Sequence, residues 1–125
     1  SHTISHRILT GLRNEEIIRE IRDSKDILES QLGQKINSFA YPVGTRADFD
    51  DAIVKIVKAH NYTCACSNVY GMNDENSDTF ALKRIGIETT DCFFLFKQKL
   101  NGTLNIMSFK DTKFFQQLKR IFFKL

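Results

Sequence analysis

Apolar positions along the chain fall first at helical spacing, then in short blocks, then at helical spacing again. Between Asn14 and Gly33, residues Ile17, Ile21, Leu28 and Leu32 share one face, with Ile18 beside them. Asn14 offers a capping acceptor, Glu15 and Glu16 complement the positive helix end, and Gly33 suits a left-handed stop. A helix is predicted over 14–32. Ile36–Tyr41 (INSFAY) then reads as a short strand ended by Pro42 and the turn PVGT. From Asp48, taken as a cap, Phe49, Ala52, Ile53, Ile56 and Val57 return to helical spacing. His60 falls in the last turn, and Asn61 is suited to a left-handed residue past the end. YTCACS predicts a second strand, NVYGMNDENSDT a polar loop, and FALKRIGIE a third strand. TDCFFLFKQKLNG predicts a helix that buries Phe93, Phe96 and Leu100 and leaves Lys97 and Lys99 in water. This alternation is an α/β pattern, with largely parallel strands joined by helical crossovers.

The final stretch, DTKFFQQLKRIFFKL, differs in character. Phe114, Phe115, Leu118, Ile121, Phe122 and Leu125 form one stripe, with Lys119, Arg120 and Lys124 largely off it. The division predicted is therefore residues 1–102 as one α/β domain and 103–125 as a basic amphipathic helix. Such a helix can lie on an anionic membrane surface, or dock on its own domain or a partner. Each buried Phe is worth roughly 1.5–3 kcal/mol, which favours docking where a groove exists.

Charge changes the picture little. Thr103 to Leu125 carries a local +4 of the net +3, leaving −1 for the rest. Basic charge gathered at one end is not the spread-out face of a general nucleic-acid binder, so no nucleic-acid partner is expected. At 125 residues and 42% hydrophobic content, the chain suits one modest core, and no apolar run approaches the ~20 residues of a membrane span. Cys64, Cys66 and Cys92 are an odd number and make no disulfide framework. Cys64 and Cys66, two apart on a strand, share a face and are expected to pack in the core as small hydrophobes.

His2 and His6 carry the candidate chemistry. In SHTISH they stand four residues apart, and two neutral imidazoles at that spacing can share a divalent cation. Alone, the spacing is equally that of a structural histidine pair. Followed by a long helix and a strand running into Phe39-Ala40-Tyr41-Pro42-Val43-Gly44, it resembles the polysaccharide deacetylases of the NodB-homology group, carbohydrate esterase family 4. Ser1-His2-Thr3-Ile4-Ser5-His6 fits that family's H-[ST]-x-x-H motif, and FAYPVG its later proline motif. The resemblance covers roughly Ser1 to Gly102.

The resemblance implies a partial distorted (β/α) barrel, with its site at the C-terminal ends of the strands. It implies metal-dependent hydrolysis of acetyl groups, most often N-acetyl, on a glycan, with Zn²⁺ or a similar ion held by His2 and His6. Thr3 would orient a ligand, and the backbone N–H of Val43 would stabilise the oxyanion. Tyr41, Pro42 and Tyr70 are the candidate substrate contacts, Tyr70 by stacking on a pyranose face. The family's Asp-Asp motif, which supplies the third ligand and the base, precedes the histidines and is not in this chain. An arginine two residues before the proline is replaced by Ala40, and the family's late histidine has no counterpart. The expected reading is the C-terminal portion of a catalytic domain, prone to self-association through an exposed strand edge. The alternative is a catalytically inactive glycan-binding or interaction module. Unpaired thiols point to a reducing compartment, whereas the family includes exported enzymes.

Overall fold

The computed structural model describes residues 1–103. After a single 3₁₀ turn (Leu9–Gly11) come α1 (Asn14–Leu32), β1 (Ser38–Ala40), α2 (Asp51–Ala59), β2 (Cys64–Tyr70), β3 (Leu82–Arg84) and α3 (Phe93–Leu100). The expected α/β alternation is present. The strands form one parallel sheet in the order β1-β2-β3, with Phe39 opposite Ala65 and Cys66 opposite Leu82. Within the described residues this is an open three-stranded sheet, not a closed barrel. The predicted helix over 103–125 lies almost wholly outside the described residues.

Apolar burial explains where the elements sit. Leu9, Ile17 and Ile21 pack with Phe39, Tyr41, Ile53, Val57, Tyr62 and Ala65 in one core. β2 alternates, with Ala65, Ser67 and Val69 buried. Cys64 and Cys66 share the other, half-buried face, so the expectation that they fill the core is corrected. Tyr62 and Phe39 meet with ring centroids 5.3 Å apart, and the Tyr62 hydroxyl donates to the carbonyl of Ile21. That contact ties β2's entry to α1.

Several local expectations are corrected. The first helix starts where its periodicity predicts, but its N-cap is Arg13, whose backbone N–H donates to the Glu16 carboxylate. Leu32 is exposed and Leu28 only half-buried, and the buried residues of the helix beyond Ile21 are Ser24 and Lys25. Lys25 is admitted to the interior by its partners: it donates to the Ile36 carbonyl, pairs with Glu29 at 3.1 Å and sits over the Tyr62 ring. Asp50, not Asp48, caps α2, accepting from Ile53 N–H at 2.9 Å. Asp48 instead closes a buried turn, where its carboxylate accepts from the Thr45 amide and hydroxyl. α3 presents Phe93, Phe94 and Leu100 outward, and Lys99 is drawn in by Asp91 at 2.5 Å. That ion pair anchors the helix in place of the predicted apolar face.

β2 and β3 are parallel yet no helix joins them. The connection, residues 71–81, borrows side chains for order. Asn73 exchanges two hydrogen bonds of 2.9 Å with the backbone of Lys83, so its amide group imitates a neighbouring strand. The Asp74 carboxylate accepts from Asn76 N–H and the Ser77 hydroxyl, closing a turn. No helix among the described residues is long and apolar enough to cross a membrane.

Candidate metal and substrate site

Two segments meet at the C-terminal end of β1. Ser1 lies alongside that strand, its carbonyl accepting from Ala40 N–H at 2.9 Å. The chain then leaves the sheet through His2. The His2 Nδ1 lies 2.7 Å from the Ala40 carbonyl oxygen. A carbonyl only accepts, so Nδ1 holds the proton and Nε2 keeps its lone pair, the tautomer a metal ligand needs.

His6 returns to the same place. Its ring centroid lies 4.7 Å from that of His2, with the planes at 67°. Two imidazoles bound to one Zn²⁺ at Zn–N distances of about 2.0–2.1 Å place their rings about 5 Å apart. The pair therefore fits two positions of such an ion. Among the described residues no group of three or more His, Cys, Asp or Glu side chains comes together, so the donor set seen here is two imidazoles.

The loop between them is held by neighbours. Thr3 Oγ1 accepts from His6 N–H at 3.1 Å. The Glu20 carboxylate, from α1, accepts from the backbone N–H of Ile4 and of Ser5 at 2.8 and 2.9 Å, and from the Ser5 hydroxyl. Burial pushes the Glu20 carboxyl up, but the Ser5 hydroxyl, these two amides and the charge of Arg7 outweigh it. The carboxyl is held below its ordinary value. Sequence reasoning missed Glu20. Nothing in the pattern marks one acidic residue on a helix that carries several.

The rest of the proline motif follows directly on Ala40, the residue whose carbonyl holds His2. Tyr41 N–H donates to the Cys66 carbonyl and Asn68 N–H to the Gly44 carbonyl, so Pro42 and Val43 make a tight excursion from the sheet. Gly44 has φ 72°, and a Cβ there would stand 2.9 Å from the Tyr41 oxygen. Only glycine meets both conditions without displacing its neighbours. Val43 is half-exposed at φ 59°, and its N–H makes no hydrogen bond among the described residues. Four non-glycine residues there have positive φ, and Thr3, His6 and Val43 are three of them. Left-handed backbone in such residues costs of order 1–3 kcal/mol each and gathers where geometry serves a purpose. The fourth, Asn61, ends α2 as expected.

The remaining candidates separate. Tyr41 is fully buried, stacked on Phe49 at 4.2 Å with its hydroxyl donating to the Phe80 carbonyl. Burial, and secondarily the charge of Asp78, pushes its phenol well above the ordinary value. Pro42 is fully buried too. Neither ring can touch a sugar, so the expectation of direct contact is corrected: both shape the loop. Tyr70 is half-buried at the C-terminal end of β2, on the side that carries the site. His60 sits elsewhere, its Nδ1 2.8 Å from the Ile56 carbonyl at the end of α2.

Comparison with known proteins identifies the family and the fold. A family model described as polysaccharide deacetylase matches residues 1–65. YxkH of Bacillus subtilis (strain 168), itself assigned as a polysaccharide deacetylase, is 26% identical over 87 residues, covering 70% of this chain and 30% of that protein. The Streptococcus pyogenes deacetylase PplD, solved in complex with acetate, superposes with a TM-score of 0.72 at 27% identity. That match covers 79% of this chain and 42% of PplD. BA0330 of Bacillus anthracis, assigned to the same activity, gives 0.67 at 27% identity, over 79% of this chain and 30% of that one. The chain thus spans less than half the length of these relatives.

Proposed function

Because this chain belongs to the polysaccharide deacetylase family, we propose that it carries part of the site of a metal-dependent hydrolase that removes acetyl groups, most often N-acetyl, from a glycan. The observation that carries the reading is the His2–Ala40 hydrogen bond, which turns Nε2 outward beside His6 at a strand end. PplD, a deacetylase seen with acetate, shares the fold, which supports an acetyl group as what is released.

His2 and His6 would hold a divalent cation, Zn²⁺ or a similar ion. Such an ion polarises the acetyl carbonyl and makes water a better nucleophile near neutral pH. The chain's own residues then do three things. The Ala40 carbonyl fixes the His2 tautomer. Thr3 fixes the approach of His6. The Val43 N–H, with no partner of its own among the described residues, donates to the oxyanion as the carbonyl carbon becomes tetrahedral. A main-chain donor serves whatever the side chain, so valine at this position is compatible with the role. Tyr70 is the remaining surface for a sugar ring. A third ligand and a base to accept the water's proton would complete such a site; among the described residues the donor set is the two imidazoles.

Acetate release tests the reading. The native protein, supplied with Zn²⁺, should free acetate from N-acetylated oligosaccharides, and His2→Ala should reduce this at least 100-fold. If no acetylated glycan yields acetate while the same glycans still bind, the chain is a non-catalytic glycan-binding module. The basic stretch after Thr103 would allow work close to an anionic membrane, and liposome co-sedimentation with and without it decides that point.

A further inference from the structure

We propose that Glu20 is a positioning residue for the histidine pair: its carboxylate sets the His2–His6 separation, and hence the affinity for a divalent cation, without touching the ion. The inference rests on the reading of His2 and His6 as ligands and goes beyond it, because it assigns a role to a helix that carries no ligand.

The geometry makes the case. Between the histidines lie Thr3, Ile4 and Ser5, and the chain bends at Ile4 and Ser5. A bend outside any helix or strand leaves amides without a ladder partner. Glu20 collects two of them, Ile4 N–H and Ser5 N–H, on one oxygen, and takes the Ser5 hydroxyl on the other. Three hydrogen bonds to one ionised group are each stronger than neutral ones. α1 is itself fixed, since Ile17 and Ile21, flanking Glu20, are core residues. The loop is thus referenced to the core through one side chain, while His2 is referenced to β1 through the Ala40 carbonyl. Each histidine is held from a different element, and Glu20 spans the difference. Thr3 and His6, at φ 63° and 58°, would relax toward ordinary backbone without that grip, and the rings would part.

The test is Zn²⁺ binding by calorimetry on the native protein, with thermal midpoints measured alongside. Loss of a residue that orients ligands weakens metal binding 10–100-fold. Glu20→Ala should do so, whereas Glu20→Gln should remain within about threefold of wild type, because an amide oxygen still accepts both N–H groups. Ser5→Ala, which deletes one hydroxyl and leaves the core untouched, should fall between. A purely structural Glu20 would lower the midpoint of Glu20→Ala and leave Zn²⁺ affinity unchanged. That outcome overturns the proposal, as does equal affinity in Ser5→Ala and wild type if Glu20→Ala does not fold. Wild type binding tightly, His2→Ala binding poorly and Glu20→Ala matching wild type would sink the Glu20 role alone. If wild type and His2→Ala bind alike, the ligand assignment fails and this inference with it.

Discussion

The Nδ1 of His2 and the carbonyl oxygen of Ala40 stand 2.7 Å apart, across 38 positions of sequence. This one hydrogen bond joins the two motifs that carry the resemblance to deacetylases, and it sets which ring nitrogen of His2 is open. His2→Ala and His6→Ala remove exposed side chains, so thermal stability should stay within about 0.5 kcal/mol of wild type. Zn²⁺ binding and acetate release should both collapse. Calorimetry and an acetate assay on the same preparations check this, and a large fall in melting temperature would show a structural pair instead.

Tyr41→Phe separates loop shaping from substrate contact. The substitution keeps the stack on Phe49 and deletes the hydrogen bond to the Phe80 carbonyl. Losing one buried partner costs about 1–2 kcal/mol. Denaturant midpoints should fall accordingly, while KM for an acetylated glycan stays as in wild type. A raised KM with unchanged stability would restore Tyr41 as a sugar contact.

Gly44 and Val43 make opposite predictions from the same kind of backbone. Gly44→Ala adds a Cβ 2.9 Å from the Tyr41 oxygen at φ 72°, and should cost at least about 1–3 kcal/mol. Gly11→Ala is the control, since nothing lies within 4 Å of its Cβ. Val43→Gly relieves left-handed strain of about 1–2 kcal/mol but adds about 0.5–1 kcal/mol of unfolded-chain entropy. Stability should therefore change by less than about 1.5 kcal/mol, and acetate release should persist because the N–H remains. Urea titrations and rate assays decide both.

Acid should weaken the fold in a defined window. Glu29 is held at about 2 by the Ile36 backbone N–H first, then by Lys25, with burial opposing and Lys35 assisting. Glu16 is held at about 2 by the Arg13 side chain and backbone, then by Arg7. Both lie below the 4.5 of the unfolded chain, so each stabilises fully above about pH 4.5 and ceases to do so as pH falls through 2. Melting curves of wild type and Glu29→Gln should differ by a constant amount near neutrality and converge between pH 4.5 and 2. A gap unchanged across that range would refute the assignment.

Much of this was legible beforehand because it is local. The spacing of Ile17 and Ile21 marked α1, and Ile53 and Val57 marked α2, since a helix buries what its period repeats. The caps lie one or two residues from the expected ones: Asp48 and Asp50 share the same chemistry, so only packing selects between them, whereas at α1 the Glu16 carboxylate holds the Arg13 N–H and no capping side chain is needed. α3 departs from its pattern in part: Lys97 is exposed and Phe96 half-buried, but Phe93 and Leu100 face outward and Lys99 is held in by Asp91, a pairing that spacing alone does not reveal. His2 and Val43 stand out in the sequence because each sits in a compact motif. Glu20 was invisible for the reverse reason, since its partners Ile4 and Ser5 come together with it only once the chain folds.

The excursion at Pro42 and Val43 is pinned at both ends, by Tyr41 to Cys66 and by Gly44 to Asn68. Its shape is thus dictated by the sheet before any ligand arrives. A donor held this way would surrender no conformational freedom on encounter, so in the proposed role no affinity would be spent on ordering the loop. If the proposed role of Val43 holds, recognition of an acetyl carbonyl there would be closer to a rigid socket than to a closing hand.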